Sequence, residues 1–368
     1  LSTKYPTRVN NSALSESTIL GMSVGMALTG KQTVAFIQFA DFMPLAYNQI
    51  ATELSTMYWR TNGSWECPVV TLAACGGYRP GLGPFHSQTS EATYAHIPGL
   101  DVYMPSTAGD AAGLLNAAIM SKRPSLIFYP KKLLNSTSPK ETTSIDVNKQ
   151  IVPIGKAKII TAGDDITFVG WGNTVSICQE VATTLETVNI YAEVIDLRTI
   201  NPVDIDTIMT SAERTGKLIV IHEDNKTCGL GGDIISSVVE NSEKHIKTRL
   251  IARADTHIPC NFANQLDVLP SYEKMLESAC ELLDIDLEWQ EDESKDSGLF
   301  TMKVIGPSPS DESVIIIDLK MAEGDAIKSG DTIAEIEATK STGEIIAPVS
   351  GIISKIFVEN DENVFVGE

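Results

Sequence analysis

The sequence predicts two consecutive α/β units followed by a small all-β module. Over residues 16–135, and again over 151–285, short apolar runs alternate with segments of helical period. That is the pattern of a mostly parallel sheet with helices on its faces. Beyond residue 300 the helical segments stop, and short strands separated by turn residues take over. Between these blocks, 136–150 is polar without an aromatic residue and 286–298 is strongly acidic, so both read as linkers.

Taken in order, "NNSALSESTILGMSVGMALTG" (10–30) places Glu16 just before a helix of small apolar residues. A carboxylate there is favoured by the helix dipole, so a capping role suffices to explain it on composition alone. "TVAFIQFAD" (33–41) reads as a strand running into a loop, and "PLAYNQIATELSTMYWR" (44–60) as a helix. "PVVTLAACGG" (68–77) is a strand ending in glycines. "AGDAAGLLNAAIM" (108–120) is a helix with Asp110 in its first turn, and "PSLIFYP" (124–130) is a strand. In the second unit "DITFVGWG" (165–172) is a buried strand, "NIYAEVIDLRTINPVD" (189–204) a strand and loop, and "KLIVIHED" (217–224) a strand. "GLGGDIISSVVE" (229–240) opens a helix, and "SYEKMLESACELLDI" (271–285) is the last one. In the final module "SVIIIDLKM", "DTIAEIEAT", "GEIIAPVSG" and "GIISKIFVEN" read as short strands.

Composition narrows the function. The chain has 28 Lys+Arg against 48 Asp+Glu, a net charge of −20, which opposes binding to nucleic acid or to an anionic membrane. No apolar run reaches the ~18 residues needed to span a bilayer. Six scattered cysteines without C-x-x-C spacing read as reduced thiols, so a cytoplasmic compartment is expected. No metal site is expected in the chain itself.

Two loops carry candidate chemistry. "CGLGGD" (228–233) lies between a strand and a helix, but its spacing is not G-x-G-x-x-G. Asp233 would also set a negative charge beside a pyrophosphate, so a tight strand-to-helix turn is the expectation. "GYRPGLGPFHSQTSEATYAHIPG" (77–99) crowds Gly, Pro and polar residues after a strand end, where α/β sheets build their sites. Its His86 is placed for acid–base work, although a loop histidine is more often structural.

Several segments together resemble the β subunit of the E1 component of 2-oxo acid dehydrogenases. They are "LSESTILGMSVGMALTG", "IQFADFMPLAYNQIATELSTMYWR", "GPFHSQTSEATYAHIPGLDVYMPS", "VPIGKAKII", "VGWGNTVSI", "EVIDLRTINPVD" and "HIPCNFANQLDVLPSYEKML", and they span residues 1 to about 288. The last of them is most similar to the branched-chain type; pyruvate and acetoin dehydrogenases are the alternatives. The resemblance implies a thiamine-diphosphate pyrimidine-binding domain (1–135), a linker (136–150) and a transketolase C-terminal domain (151–285). It implies that Glu16 hydrogen-bonds the N1′ atom of the aminopyrimidine. Such a carboxyl can share a proton with a weakly basic ring nitrogen. Phe42 falls where the family stacks an aromatic ring on the pyrimidine, with Gln38 beside it, and His86 falls on the histidine that assists acyl transfer to lipoyl groups.

The sequence departs from the family at its potassium site and in lacking the family's first strand and helix ahead of Glu16. Ser121 and Arg123 stand where many members carry Asp and Asn near a potassium site, and an arginine there opposes a cation. The Gly-Asp-Gly…Asn pattern for magnesium and diphosphate is also missing, since "AGDDIT" (162–167) is not that pattern. The resemblance therefore implies that Mg²⁺ is held by an E1 α chain or an upstream α region, in an α2β2-type assembly that acts on a 2-oxo acid and serves an E2 acyltransferase. It also implies that the family's first strand and helix precede this sequence, and that in a eukaryote the compartment would be the mitochondrial matrix.

After the acidic linker (286–298), residues 299–368 resemble a lipoyl domain. Two Gly-Asp turns are followed by Thr339-Lys340-Ser341 at a hairpin tip, where the family carries its modified lysine. Biotinyl domains share the fold but flank the lysine with Met, which is not the case here. Lipoyl on Lys340 is the expectation, in a small barrel whose last strand would run past Glu368. A biotinyl-carrier fusion and a non-catalytic docking scaffold are the rival readings.

Overall fold

The structure is a computed structural model that describes residues 1–135, 147–286, 300–304 and 313–366, apart from Ser329, Thr339 and Lys340. The chain forms two compact units, Leu1–Asp286 and Leu287–Glu368. Most of both expected linkers, and Lys340 itself, lie outside the described residues.

In the first half of the large unit the order is α1 (Glu16–Leu28), β1 (Thr33–Ile37), α2 (Met57–Arg60), β2 (Val69–Cys75), α3 (Glu91–Ala95), β3 (Asp101–Tyr103), α4 (Ala108–Ser121) and β4 (Ser125–Pro130). The second half adds β5 (Lys158–Thr161), β6 (Ile166–Gly170), α5 (Thr174–Glu186), β7 (Ala192–Asp196), β8 (Thr199–Asn201) and α6 (Ile205–Thr215). It continues with β9 (Lys217–Asn225), α7 (Leu230–Asn241), β10 (Lys247–Arg253), α8 (Phe262–Val268) and α9 (Tyr272–Leu283). The first sheet has the order β1-β2-β4-β3-β8 and the second β10-β9-β6-β7-β5. Pairing is parallel except at β3–β8 and β5–β7. Strands covered on both faces, such as β6 and β7, are buried at every residue, whereas edge strand β1 alternates buried and exposed.

Side-chain caps set several helix starts. Thr107 accepts from the Asp110 N–H at 3.1 Å to begin α4, Asp204 caps α6, and Ser271 caps α9. The segment 44–60, expected as one helix, is instead a 3-10 turn (Ala40–Ala46), a π-helical stretch (Gln49–Leu54) and α2. Pro44 lies inside the first piece and removes a donor. Thr52 and Thr56 then donate their hydroxyls to the carbonyls of Asn48 and Thr52 at 2.6 and 2.5 Å, which competes with regular α pairing. The expected strand and loop at 189–204 is two strands, and β8 leaves the second half to pair with β3 of the first sheet. "CGLGGD" is a strand-to-helix turn: Gly229 precedes α7, and a Cβ there would come within 2.5 Å of the His222 ring and 2.3 Å of the Asn225 carbonyl oxygen.

The small unit has one four-stranded antiparallel sheet, ordered β14-β13-β11-β16. Its members are β11 (Ser313–Leu319), β13 (Thr332–Ala338), β14 (Ser341–Ile346) and β16 (Asn363–Phe365). A two-stranded pair joins β12 (Ala326–Ile327) to β15 (Gly351–Ile352). Val314 and Ile316 point into its core with Ile336, Ile345 and Val364, while Ile315 and Ile317 point out, the period of two that a half-covered sheet requires. The two Gly-Asp turns repeat one bonding scheme. Gly324 and Gly330 take left-handed φ values of 93° and 99°, and the Asp after each accepts a backbone N–H three residues back at 2.8 Å. "GIISKIFVEN", expected as a strand, is one only at Gly351–Ile352. Further on, the N–H groups of Ile356 and Glu359 donate to the side chains of Glu323 and Glu362 instead of to a ladder.

Candidate active site

β1, β2 and β4 run parallel, so the residues that follow them lie along one sheet edge. These are 38–42 after β1, the 77–99 segment after β2, and Lys131 after β4. That is where open α/β sheets collect ligands. Phe39, Phe42 and His86 meet there. The His86 ring stands edge-on to Phe39 at 4.8 Å and to Phe42 at 5.8 Å, and the two phenylalanines contact each other at 5.9 Å. Phe42 is half-buried against the large core, so part of its ring remains accessible.

Asp41 and Lys131 support the rings from behind. Asp41 Oδ1 accepts the N–H groups of Ser87 and Gln88, each at 3.1 Å. Burial raises the Asp41 pKa, opposed by the Gln88 N–H and the Lys131 charge. The Lys131 ammonium is 5.2 Å from the Phe39 ring centre. Burial lowers its pKa, and the acidic groups around it, Cys75, Asp41 and Glu223, pull the other way.

The second half of the unit grips both ends of the segment that carries His86. At its start, Gly77 N–H donates to Glu223 Oε1, Asn173 donates to Glu223 Oε2 at 2.7 Å, and Gln265 donates to the carbonyls of Gly77 and Arg79. Tyr78 O–H reaches the Pro270 carbonyl at 2.7 Å. At its end, Trp171 Nε1 donates to the fully buried Glu91 at 2.9 Å. Burial pushes Glu91 well above its ordinary value and raises Glu223; Asp224 adds to the shift at Glu91, and the Asn173 amide opposes it at Glu223. Behind them His222 stacks on Trp171 at 5.3 Å, and burial together with Arg253 lowers its pKa to about 4.

Of the residues singled out in the sequence, the structure thus brings Phe42 and His86 together. Glu16 is the first residue of α1, half-buried, and α1 packs against the Ala40–Ala46 turn. It is not a side-chain cap: Ser15 holds the N-cap position and its hydroxyl pairs with Ser17 and Thr18. Gln38 follows β1 and is exposed. Arg123 donates Nε and Nη2 to the buried Asp101 at 2.8 and 2.6 Å, so a guanidinium occupies that carboxylate. Among the described residues no group of three or more His, Cys, Asp or Glu is placed to hold a metal ion, and no helix is long and apolar enough to cross a membrane. All six cysteines are free. Lys340 lies outside the described residues; the strands on either side of it pair Ala338 with Ser341. Phe39, Asp41, Lys131 and Glu91 went unnoticed in the sequence, because each acts through a contact with a distant segment.

Residues 2–137 match the transketolase pyrimidine binding domain, 155–269 the transketolase C-terminal domain, and 301–368 the domain described as biotin-requiring enzyme. The fold is shared with a solved split-gene transketolase, an inactive beta4 tetramer, at a TM-score of 0.62 and 20% identity over 77% of this chain and 86% of that one. These domains define a transketolase-like protein whose cofactor is thiamine diphosphate, with a lipoyl-type carrier attached. The chain is 35% identical over 258 residues to the mitochondrial 2-oxoisovalerate dehydrogenase subunit beta of Dictyostelium discoideum, covering 69% of each. It is 36% identical over 248 residues to the pyruvate dehydrogenase E1 component subunit beta of Acholeplasma laidlawii, covering 67% of this chain and 74% of that one. The chain belongs to the β-subunit family of 2-oxo acid dehydrogenase E1 components.

Proposed function

We propose that this chain supplies the pyrimidine half of a thiamine-diphosphate site shared with an α chain or α region, and that its substrate is a branched-chain 2-oxo acid. The contact of Phe42 with His86, inside the matched pyrimidine binding domain, carries this reading. When bound, the cofactor supplies the electron sink that loss of CO₂ from a 2-oxo acid requires. In this reading Glu16 holds a proton against a ring nitrogen, Phe42 offers a stacking face with Gln38 at its rim, and His86 moves a proton at the lipoyl sulfur during acyl transfer. A half-buried aromatic whose ring stays partly accessible suits a flat heteroaromatic ring. The α partner holds Mg²⁺ and the diphosphate, an E2 acyltransferase receives the acyl group, and Lys340 carries lipoyl. The domains run 1–135, 151–285 and 299–368, with linkers at 136–150 and 286–298.

The test is a panel of branched-chain and other 2-oxo acids given to the chain reconstituted with an α partner. Thiamine-dependent decarboxylation fastest with a branched-chain substrate is expected. Glu16→Gln should bind cofactor and lose roughly 10²–10⁴ in kcat. Near-full kcat in that variant would remove Glu16 from the site, and a preference for pyruvate would reassign the substrate. Mass spectrometry of Lys340 reads lipoyl as about +188 Da and biotin as about +226 Da.

A further inference from the structure

We propose that Asp41 is a positioning residue for His86, fixing the imidazole for acyl transfer while leaving decarboxylation largely untouched. The proposal rests on the reading of His86 as the acyl-transfer residue. The two amides that Asp41 Oδ1 accepts, those of Ser87 and Gln88 at 3.1 Å, directly follow His86 in the chain. Asp41 itself lies between Phe39 and Phe42, the two rings that the imidazole meets edge-on. One carboxylate therefore sets the backbone of the histidine relative to the ring pair that confines its side chain. The side chains of the same two residues bond within the loop: Ser87 Oγ donates to the Gly83 carbonyl at 2.5 Å and Gln88 Nε2 to the Pro84 carbonyl at 3.2 Å. Those bonds shape the turn without tying it to the segment 38–42.

The choice of a carboxylate fits the task. A charged acceptor binds backbone N–H groups more strongly than a neutral one. Its burial is opposed first by the Gln88 N–H and then by the charge of Lys131, which is itself buried and lies over Phe39. A displacement of about 1 Å at such a group is enough to cost roughly 10²-fold in the step it serves.

The experiment uses the chain reconstituted with its α partner, a 2-oxo acid and a lipoylated acceptor. It compares wild type, Asp41→Ala, Asp41→Asn and His86→Ala. Decarboxylation is read with an artificial electron acceptor, and reductive acylation of lipoyl is read separately. Asp41→Ala should lower acylation by about 10- to 100-fold and decarboxylation by less than about threefold. Asp41→Asn retains the Oδ1 acceptor and should hold acylation within about threefold of wild type. Independently of turnover, hydrogen exchange of a peptide containing Ser87 and Gln88, in the chain without cofactor, should speed up in Asp41→Ala and not in Asp41→Asn. If Asp41→Ala does not fold, Asp41→Glu decides: it keeps the charge but displaces the acceptor by one methylene, and the same selective loss is expected. The proposal is overturned if acylation survives Asp41→Ala while His86→Ala abolishes it. A proportional fall of both half-reactions, or no rescue by Asp41→Asn, also overturns it. Full acylation by His86→Ala overturns instead the reading of His86 on which the proposal rests.

Discussion

His222 shows how one residue can tie stability to pH. It is fully buried, stacked on Trp171, and its ring nitrogens have no hydrogen-bond partner among the described residues. Its pKa falls from 6.5 to about 4, through burial first and Arg253 second. A depressed histidine pKa means that the unfolded chain binds the proton more readily. The stability from keeping His222 neutral is therefore complete above about pH 6.5 and is lost as pH falls through the window down to about 4. The shift corresponds to about 3 kcal/mol at pH 4. Asp196 has the opposite sign, since burial raises its pKa to about 7 and its native form is favoured at low pH. A comparison with His222→Gln isolates the histidine. Urea unfolding of both proteins at pH 7 and pH 4 should show wild type losing about 3 kcal/mol relative to the variant. A difference independent of pH would show that the ring is not held neutral. Residues of this kind escape sequence reading. "KLIVIHED" marks a buried strand, but nothing in it reveals that the imidazole packs on an indole some fifty positions earlier. His86 and Phe42 were found because a family pattern surrounds them, whereas Asp41 in the same pattern drew no notice until its two amide partners were visible.

Among the elements, α7 depends most on side chains that are not there. A Cβ at Gly229 would lie 2.3 Å from the Asn225 oxygen, and one at Gly231 would lie 2.5 Å from Leu250 Cδ1, whereas at Gly232 it would meet nothing within 4 Å. Gly229→Ala and Gly231→Ala should each destabilise by about 1–3 kcal/mol through overpacking. Gly232→Ala should stabilise by up to about 0.5–1 kcal/mol, because alanine loses less backbone freedom than glycine in the first turn of a helix. Thermal unfolding of the three variants checks the order, and a destabilising Gly232→Ala would contradict it. Longer elements were readable in advance: β2 and α9 form within the stretches whose composition indicated them, and β9 and α4 run one residue past theirs. Elements set by tertiary contacts were not. The three residues of β3 are all buried, too short a run to show alternation. The 44–60 segment has the composition of an α-helix, yet Pro44 and the threonine back-bonds divide it.

For the whole molecule, the proposed function assigns to the acidic stretch 286–298 the distance over which the carrier can act. Thirteen residues span at most about 45 Å when extended, and a lipoyl-lysine arm adds roughly 14 Å. A tether that covers the required gap holds its carrier at roughly millimolar effective concentration. Deleting 290–297 should slow acylation of Lys340 within the molecule and leave decarboxylation unchanged, as read by mass spectrometry and by substrate consumption. Equal acylation rates would mean that other molecules serve the carrier. A different constraint arises at β8. These three residues complete the first sheet, yet they come after β5, β6, α5 and β7 in the chain. On a ribosome adding roughly 5–20 residues per second, β3 therefore waits roughly 5–20 s, for about a hundred residues, with one edge unpaired. An unpaired buried strand invites other chains. Between the synthesis of those two short strands the nascent chain carries a β3 edge that only a later segment covers.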